Sequence, residues 1–247
     1  MTTNKFIFLK DTAFFLISGK ERNSFLQGLL TNDINKCTEN IAIYSVFLSP
    51  QGKFLSDFFI VNLGDAYLFE TRKQFVKNLL DKFSFYKLRA DIKIIEKNEY
   101  VSLAIHEKVN IFSELKLPGY LEKNNEGLVF VDPRTVNMGL KAYIKKEMVD
   151  KFCLRYSLHE DSFNNYDKKR IENIIPDSLK DLEINKSVLL ENNFDSINAI
   201  NWDKGCYVGQ EITARMKYRS LIKKSLIKIS IVEGIVQPKD DVLIDSK

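Results

Sequence analysis

The stretch over residues 41–61 constrains the fold most. Two apolar runs, 41–48 and 54–61, flank Ser49-Pro50-Gln51-Gly52-Lys53. Proline presets φ for a turn and glycine supplies the positive φ a tight reversal needs, so the spacing predicts strand, turn, strand. A second turn at 62–65 leads into a further strand at 66–69. A helix then fits 72–83, where Phe75, Val76, Leu79, Leu80 and Phe83 recur at three- and four-residue intervals. Upstream, 6–17 holds two apolar stretches split at Lys10 and Asp11. Ser18 or Gly19 opens a helix bearing Phe25, Leu26, Leu29 and Leu30, which Thr31-Asn32-Asp33 stops. Downstream, strands fit 92–95 and 101–105 and, past the break at Leu117-Pro118-Gly119, 128–131. Residues 145–175 read as mainly helical up to Pro176, and 223–232 and 242–244 read as short strands. Strands crossed by helices, with no repeat, define an α+β chain.

At 247 residues the chain has room for one large domain or two intimate smaller ones. With 45% hydrophobic and 28% charged residues it is globular rather than disordered. A net charge of +4 leans weakly towards anionic partners such as a phosphate, a polyglutamate tail or a nucleic acid. The apolar runs fall short of the roughly 20 residues that cross a bilayer, so no membrane partner is expected. Lys10 and Asp11 interrupt the N-terminal run and no small-residue cleavage pattern follows, so no signal peptide is expected either. Three cysteines, an odd number with no CxxC pair, point to a reducing compartment, read as the cytoplasm.

The chemistry concentrates in Lys204-Gly205-Cys206-Tyr207-Val208-Gly209-Gln210-Glu211. Two glycines bracket a thiol, which suits a short presentation loop. A neighbouring cation such as Lys204 favours the reactive thiolate. Gln210 and Glu211 open a helix in which Glu211 stands four residues ahead of Arg215. The plain alternative is a buried cysteine acting as a small hydrophobe beside an inert surface pair. Cys153 sits in an apolar-periodic segment and reads as core, whereas Cys37 is undecided. His106 and His159 stand in no metal-spaced motif, and three thiols are a meagre supply for zinc or a resident iron–sulfur site, so no metal is predicted.

KGCYVGQE resembles the signature of the YgfZ-type, CAF17-like folate-binding proteins, relatives of the glycine-cleavage T-protein (aminomethyltransferase). SGKERNSFLQGLLTNDI at 18–34, SPQGKFLSD at 49–57, VDPRTVNMGL at 131–140, Ile175-Pro176-Asp177 and the stretch 190–202 resemble segments of the same family in the same order. The resemblance implies a T-protein-like ring of α+β subdomains around a central folate cavity. Residues 1–200 would form two intertwined subdomains, and 201–247 the signature and the start of a short or incomplete C-terminal β-barrel. It implies tetrahydrofolate or a related folate as ligand, with Cys206 and Lys204 doing the chemistry. Gly205, Tyr207, Gly209, Gln210, Glu211 and Arg215 would complete the motif. Asn32, Asp33, Asp57, Arg134 and Glu191 would face the folate, since carboxylates bond a pterin's amino-pyrimidine edge and arginine pairs with a glutamate tail. The function implied is assembly or repair of iron–sulfur proteins, with clients or assembly proteins as partners and tRNA modification supported indirectly. Two alternatives stand beside it: tetrahydrofolate-dependent aminomethyl or other one-carbon transfer, which has no evident need of Cys206, and a non-catalytic factor binding tRNA or protein directly.

Overall fold

The computed structural model describes residues 4–106, 117–219, 222–237 and 240–241. Its strands are β1 (Asn4–Phe8), β2 (Thr12–Ser18), β3 (Ile43–Leu48), β4 (Phe54–Asn62), β5 (Ala66–Arg72), β6 (Lys93–Lys97), β7 (Tyr100–His106), β8 (Leu121–Lys123), β9 (Gly127–Val131), β10 (Leu140–Lys145) and β11 (Leu158–Glu160). Five α-helices accompany them among the described residues: α1 (Arg22–Gln27), α2 (Lys73–Lys87), α3 (Val149–Arg155), α4 (Phe163–Glu172) and α5 (Gln210–Tyr218). One sheet runs β11-β1-β7-β10-β9-β8 and the other β3-β4-β5-β2-β6. All pairings are antiparallel except β1 with β11.

The two sheets share one apolar layer and are joined twice by the chain. The turn after β1 carries the chain from the first sheet into the second, and the turn after β6 brings it back. Strand alternation then sorts the apolar side chains into three layers. Between the sheets lie Phe14, Tyr44, Phe59, Leu68, Phe130, Tyr143 and Phe194. The far face of the second sheet packs Phe15, Ile17, Phe58 and Phe69 against Leu79 and Phe83 of α2 and Leu26 of α1. The far face of the first sheet packs Leu103, Ile105, Val129 and Ile144 against Phe152 of α3. A register shift between Phe47 and Leu48 lets Phe54 and Phe59, of opposite parity on one strand, both enter the central layer.

The expected hairpin over residues 41–61 forms, with its turn at Ser49–Lys53, and α2 covers the sheet as its spacing requires. Two readings need correction. β10 and β11 were not expected, and β11 interrupts the segment 145–175, pairing with β1 between α3 and α4. Residues 223–232 form no strand although their alternation suits one. Ile227, Ile229 and Ile231 are exposed and no neighbouring strand among the described residues supplies the ladder bonds a strand requires. The strand expected at 242–244 lies outside the described residues.

Asp161, directly after β11, ties three elements of the first sheet together. Its carboxylate lies 2.8 Å from Nε2 of His106 on β7 and 3.9 Å from Nζ of Lys5 on β1, and accepts Nδ2 of Asn165 at 2.8 Å. The hydrogen bond from Asn165, aided by Ser162 N–H, His106 and Lys5, lowers its pKa to about 2. The folded carboxylate therefore stays charged where the unfolded chain takes up a proton. The stability it contributes is complete above the ordinary carboxylate range and is lost as pH falls towards 2. Asp161→Asn should flatten the acid limb of stability between about pH 4 and pH 2, read by urea unfolding at stepped pH.

Candidate functional site

The segment 204–211 forms a loop clamped at both ends with its thiol outside. At the leading end Lys204 is buried, and its ammonium donates to three carbonyl oxygens: Gln27 at 2.9 Å, Leu30 at 2.6 Å and Asn32 at 2.9 Å. An ammonium has three donors and no acceptor, so the three carbonyls satisfy it completely. Burial nevertheless pulls its pKa down to about 8. Tyr207 is also buried, its ring centroid 5.1 Å from the Lys204 ammonium, and burial raises the pKa of its phenol. Val208 N–H donates to Gly28 O at 3.0 Å, and Asn201 N–H to Thr31 O at 3.0 Å.

At the trailing end Gly209 has φ +82°, and a β-carbon there would come within 2.6 Å of Ser49 O and 3.1 Å of the Gly52 α-carbon. Gly52 has φ +69°, and its own β-carbon would press on Ile212 and Gly209 O at 3.0 and 3.2 Å. The SPQGK turn and the KGCYVGQE loop thus lie back to back, which requires glycine in each. Gln210 N–H returns to Tyr207 O at 3.1 Å as α5 begins. The helix is fastened sideways by Lys217, whose ammonium sits 3.9 Å from the Trp202 ring centroid. Between the clamps Gly205 and Cys206 are exposed, and a β-carbon at Gly205 would meet nothing within 4 Å.

The other two cysteines differ. Cys37 is buried, donates to Ile60 O, and burial pushes its thiol up to about 12. Cys153 is half-buried on α3, and burial raises its pKa as well. Glu211 and Arg215 form no ion pair; they border an open depression of about 330 Å³ on α5 with Tyr218 and Arg219.

The residues expected to face a folate divide. Asp57 and Arg134 meet between the sheets, on a chamber also lined by Phe59, Glu70, Lys141 and Tyr166. Arg134 is held by Asp132 through Nε at 3.0 Å and Nη2 at 2.7 Å, and donates to the Tyr166 hydroxyl at 3.1 Å. Lys141 pairs with Glu70 at 3.0 Å. One Asp57 oxygen accepts from the Tyr44 hydroxyl at 2.7 Å, while Oδ1 is buried without a partner. Asn32, Asp33 and Glu191 do not line the chamber. The Asn32 side chain donates to Tyr44 O and Asn198 O, both at 2.8 Å, and Asp33 accepts from Asn35 N–H and the Gln27 amide, both at 3.0 Å. Glu191 is half-buried in a short turn whose backbone carbonyl takes Leu226 N–H. The chamber's volume is about 40 Å³, well below the several hundred Å³ of typical small-molecule sites.

Sequence reasoning missed Glu70, Asp132, Lys141 and Tyr166. The available signal was a charge at core-facing parity: Glu70 follows Leu68 on the inner face of β5, and a buried charge needs an opposite charge nearby.

The chain shares its fold with the glycine cleavage system aminomethyltransferase T of Bartonella henselae, at a TM-score of 0.70 and 11% identity, over 88% of this chain and 64% of that one. No protein-family model matches. Among curated proteins it is similar to the mitochondrial iron-sulfur cluster assembly factor IBA57 of Mus musculus, 28% identical over 239 residues, or 90% of this chain and 65% of the relative. The IBA57 homologues of Dictyostelium discoideum, 26% identical over 252 residues, and Coccidioides immitis, 27% over 240, are matched over 61% and 56% of their lengths. The chain thus spans between about half and two thirds of these relatives. All are mitochondrial by name, which overturns the cytoplasmic reading. Free thiols argue for a reducing compartment, and that argument does not separate the cytosol from another compartment that also keeps thiols reduced.

Two outcomes test the clamp. In the native protein an aryl disulfide reagent should modify Cys206 first and Cys37 only after unfolding, followed by mass mapping. Lys204→Met should cost at least about 2 kcal/mol in urea unfolding, since it strands buried carbonyls, whereas Cys206→Ser should stay within about 0.5 kcal/mol of the parent.

Proposed function

We propose that this chain is an iron–sulfur cluster assembly factor of the IBA57 kind, in which Cys206 lends one thiolate to a cluster in transit. The observation that carries the reading is the clamped loop, which fixes the backbone on either side of the chain's one exposed cysteine. Clusters are commonly held by four cysteine thiolates. Among the described residues no three histidine, cysteine or acidic side chains gather to hold a metal. The cluster is therefore cargo, and its remaining ligands come from a partner protein that docks against the open side of Gly205 and Cys206. The Cys206 thiolate takes one coordination position on iron from the thiolate that leaves, so charge and electron count are conserved in the exchange. The similarity to the named assembly factors over about 90% of this chain supports the same reading. Any effect on tRNA modification follows from the iron–sulfur enzymes that perform it.

A folate-dependent one-carbon transfer is less well supported. The fold is shared with an aminomethyltransferase and the orphaned Asp57 oxygen suits an N–H donor, yet the chamber it faces is small and Arg134 is already paired. These residues therefore support no step through folate.

Incubation with a scaffold protein carrying a [2Fe–2S] cluster, followed by gel filtration with visible absorption, tests the proposal. The parent chain should co-elute with cluster, and Cys206→Ser should lose the complex by at least about tenfold in affinity. Equal retention by the serine variant, with unchanged folding, overturns it.

A further inference from the structure

Away from the thiol loop, where the chain crosses between the two sheets, lies an open cleft of about 780 Å³. That is within the several hundred to about 1,000 Å³ of small-molecule sites. Its walls are the turn between β1 and β2, one face of α2, the turn between β6 and β7, and the residue after β10. Five lysines line it, Lys10, Lys73, Lys77, Lys97 and Lys146, against two carboxylates, Asp81 and Glu96. Lys97 lies 3.7 Å from Glu99, whereas Lys10, Lys73, Lys77 and Lys146 have no carboxylate partner among the described residues. Lys73 and Lys77 also stand at i and i+4 on one helix face, where like charges repel. The floor differs in character: Phe8, Val76, Leu80, Tyr100 and Val101 are half-buried, apolar for most of their surface and left open to a ligand.

Cations from four separate elements converge on one hollow, over a floor that water covers poorly. A simple anion would use only the rim, and a neutral hydrophobe would leave the repulsion between the lysines unrelieved. We propose that this cleft binds a small amphipathic anion, a ring-bearing molecule with two or more negative charges. Its ring lies on Tyr100, Leu80 and Val76, and its carboxylate or phosphate groups pair with Lys10, Lys73, Lys77 and Lys146. Lysine suits this task as a mobile point charge that accepts several anion geometries. The cleft shares no residue with the Cys206 loop, so binding there is independent of the thiol.

Titration calorimetry on the full chain tests it with benzene-1,3,5-tricarboxylate, with phenyl phosphate, and with the ring-free propane-1,2,3-tricarboxylate. Saturable binding of at least one aromatic anion, weakened about tenfold in the double variant Lys73→Ala/Lys77→Ala, is expected. Both lysines are exposed on α2, and unaltered urea unfolding of the variant separates lost binding from lost fold. The aromatic arm that binds more tightly distinguishes a carboxylate source from a phosphate source. No saturable heat with either aromatic anion up to millimolar concentration overturns the proposal, as does equal binding by the double variant. Equal affinity for the ring-free tricarboxylate overturns the part assigned to the apolar floor.

Discussion

The Lys204 ammonium and its three carbonyls govern the geometry of everything near the thiol. A helix end leaves carbonyls without partners, and a buried charge demands several partners at once. Here each need meets the other: the end of α1 and the chain just past it offer Gln27, Leu30 and Asn32 oxygens, and a lysine more than 170 residues later fills the space between them. The contact fixes the register of the signature loop on the N-terminal half of the molecule. Gly209 against Gly52 then fixes its other end. Neither clamp touches substrate chemistry, yet together they set where Cys206 stands.

Much of the second sheet was legible because its signals are local. Pro50 and Gly52 mark the reversal, and the apolar spacing of α2 marks the face that packs on the sheet. β10 and β11 were not legible, because their strand character rests on pairing with β7, β9 and β1, which no short window contains. The converse holds at residues 223–232, where alternation is present and a pairing strand is absent among the described residues. Around the thiol, sequence adjacency was a partial guide: Lys204 reads as a neighbour able to activate Cys206, whereas its three donors are engaged by carbonyls beneath the loop. Glycine at 209 was legible as special, although the reason, close approach to a second glycine in another motif, needed the fold.

A buried polar set lies between the sheets. Three carboxylates, Asp57, Glu70 and Asp132, face two cations, Lys141 and Arg134, and four of the five are locked in pairs. Buried pairs of this kind contribute little net stability once desolvation is counted, but removing either partner is expensive. Such a set therefore holds the two sheets in one arrangement around a small hollow. A fold held in common with an aminomethyltransferase at 11% identity carries no chemistry of its own. The thiol that the proposed function uses lies elsewhere, exposed at the surface.

At that surface rigidity matters more than depth. In the proposed exchange a thiolate must meet iron in one orientation, and a mobile loop would lose conformational freedom at every encounter. The clamped loop has lost that freedom already during folding, through contacts that a partner need not supply. Gly205 completes the arrangement from the opposite direction. Nothing lies within 4 Å of where its β-carbon would stand, so the loop is open at this position, next to the exposed Cys206. A side chain there would occupy the approach without straining the protein, which makes position 205 a constraint of access and position 209 a constraint of fold.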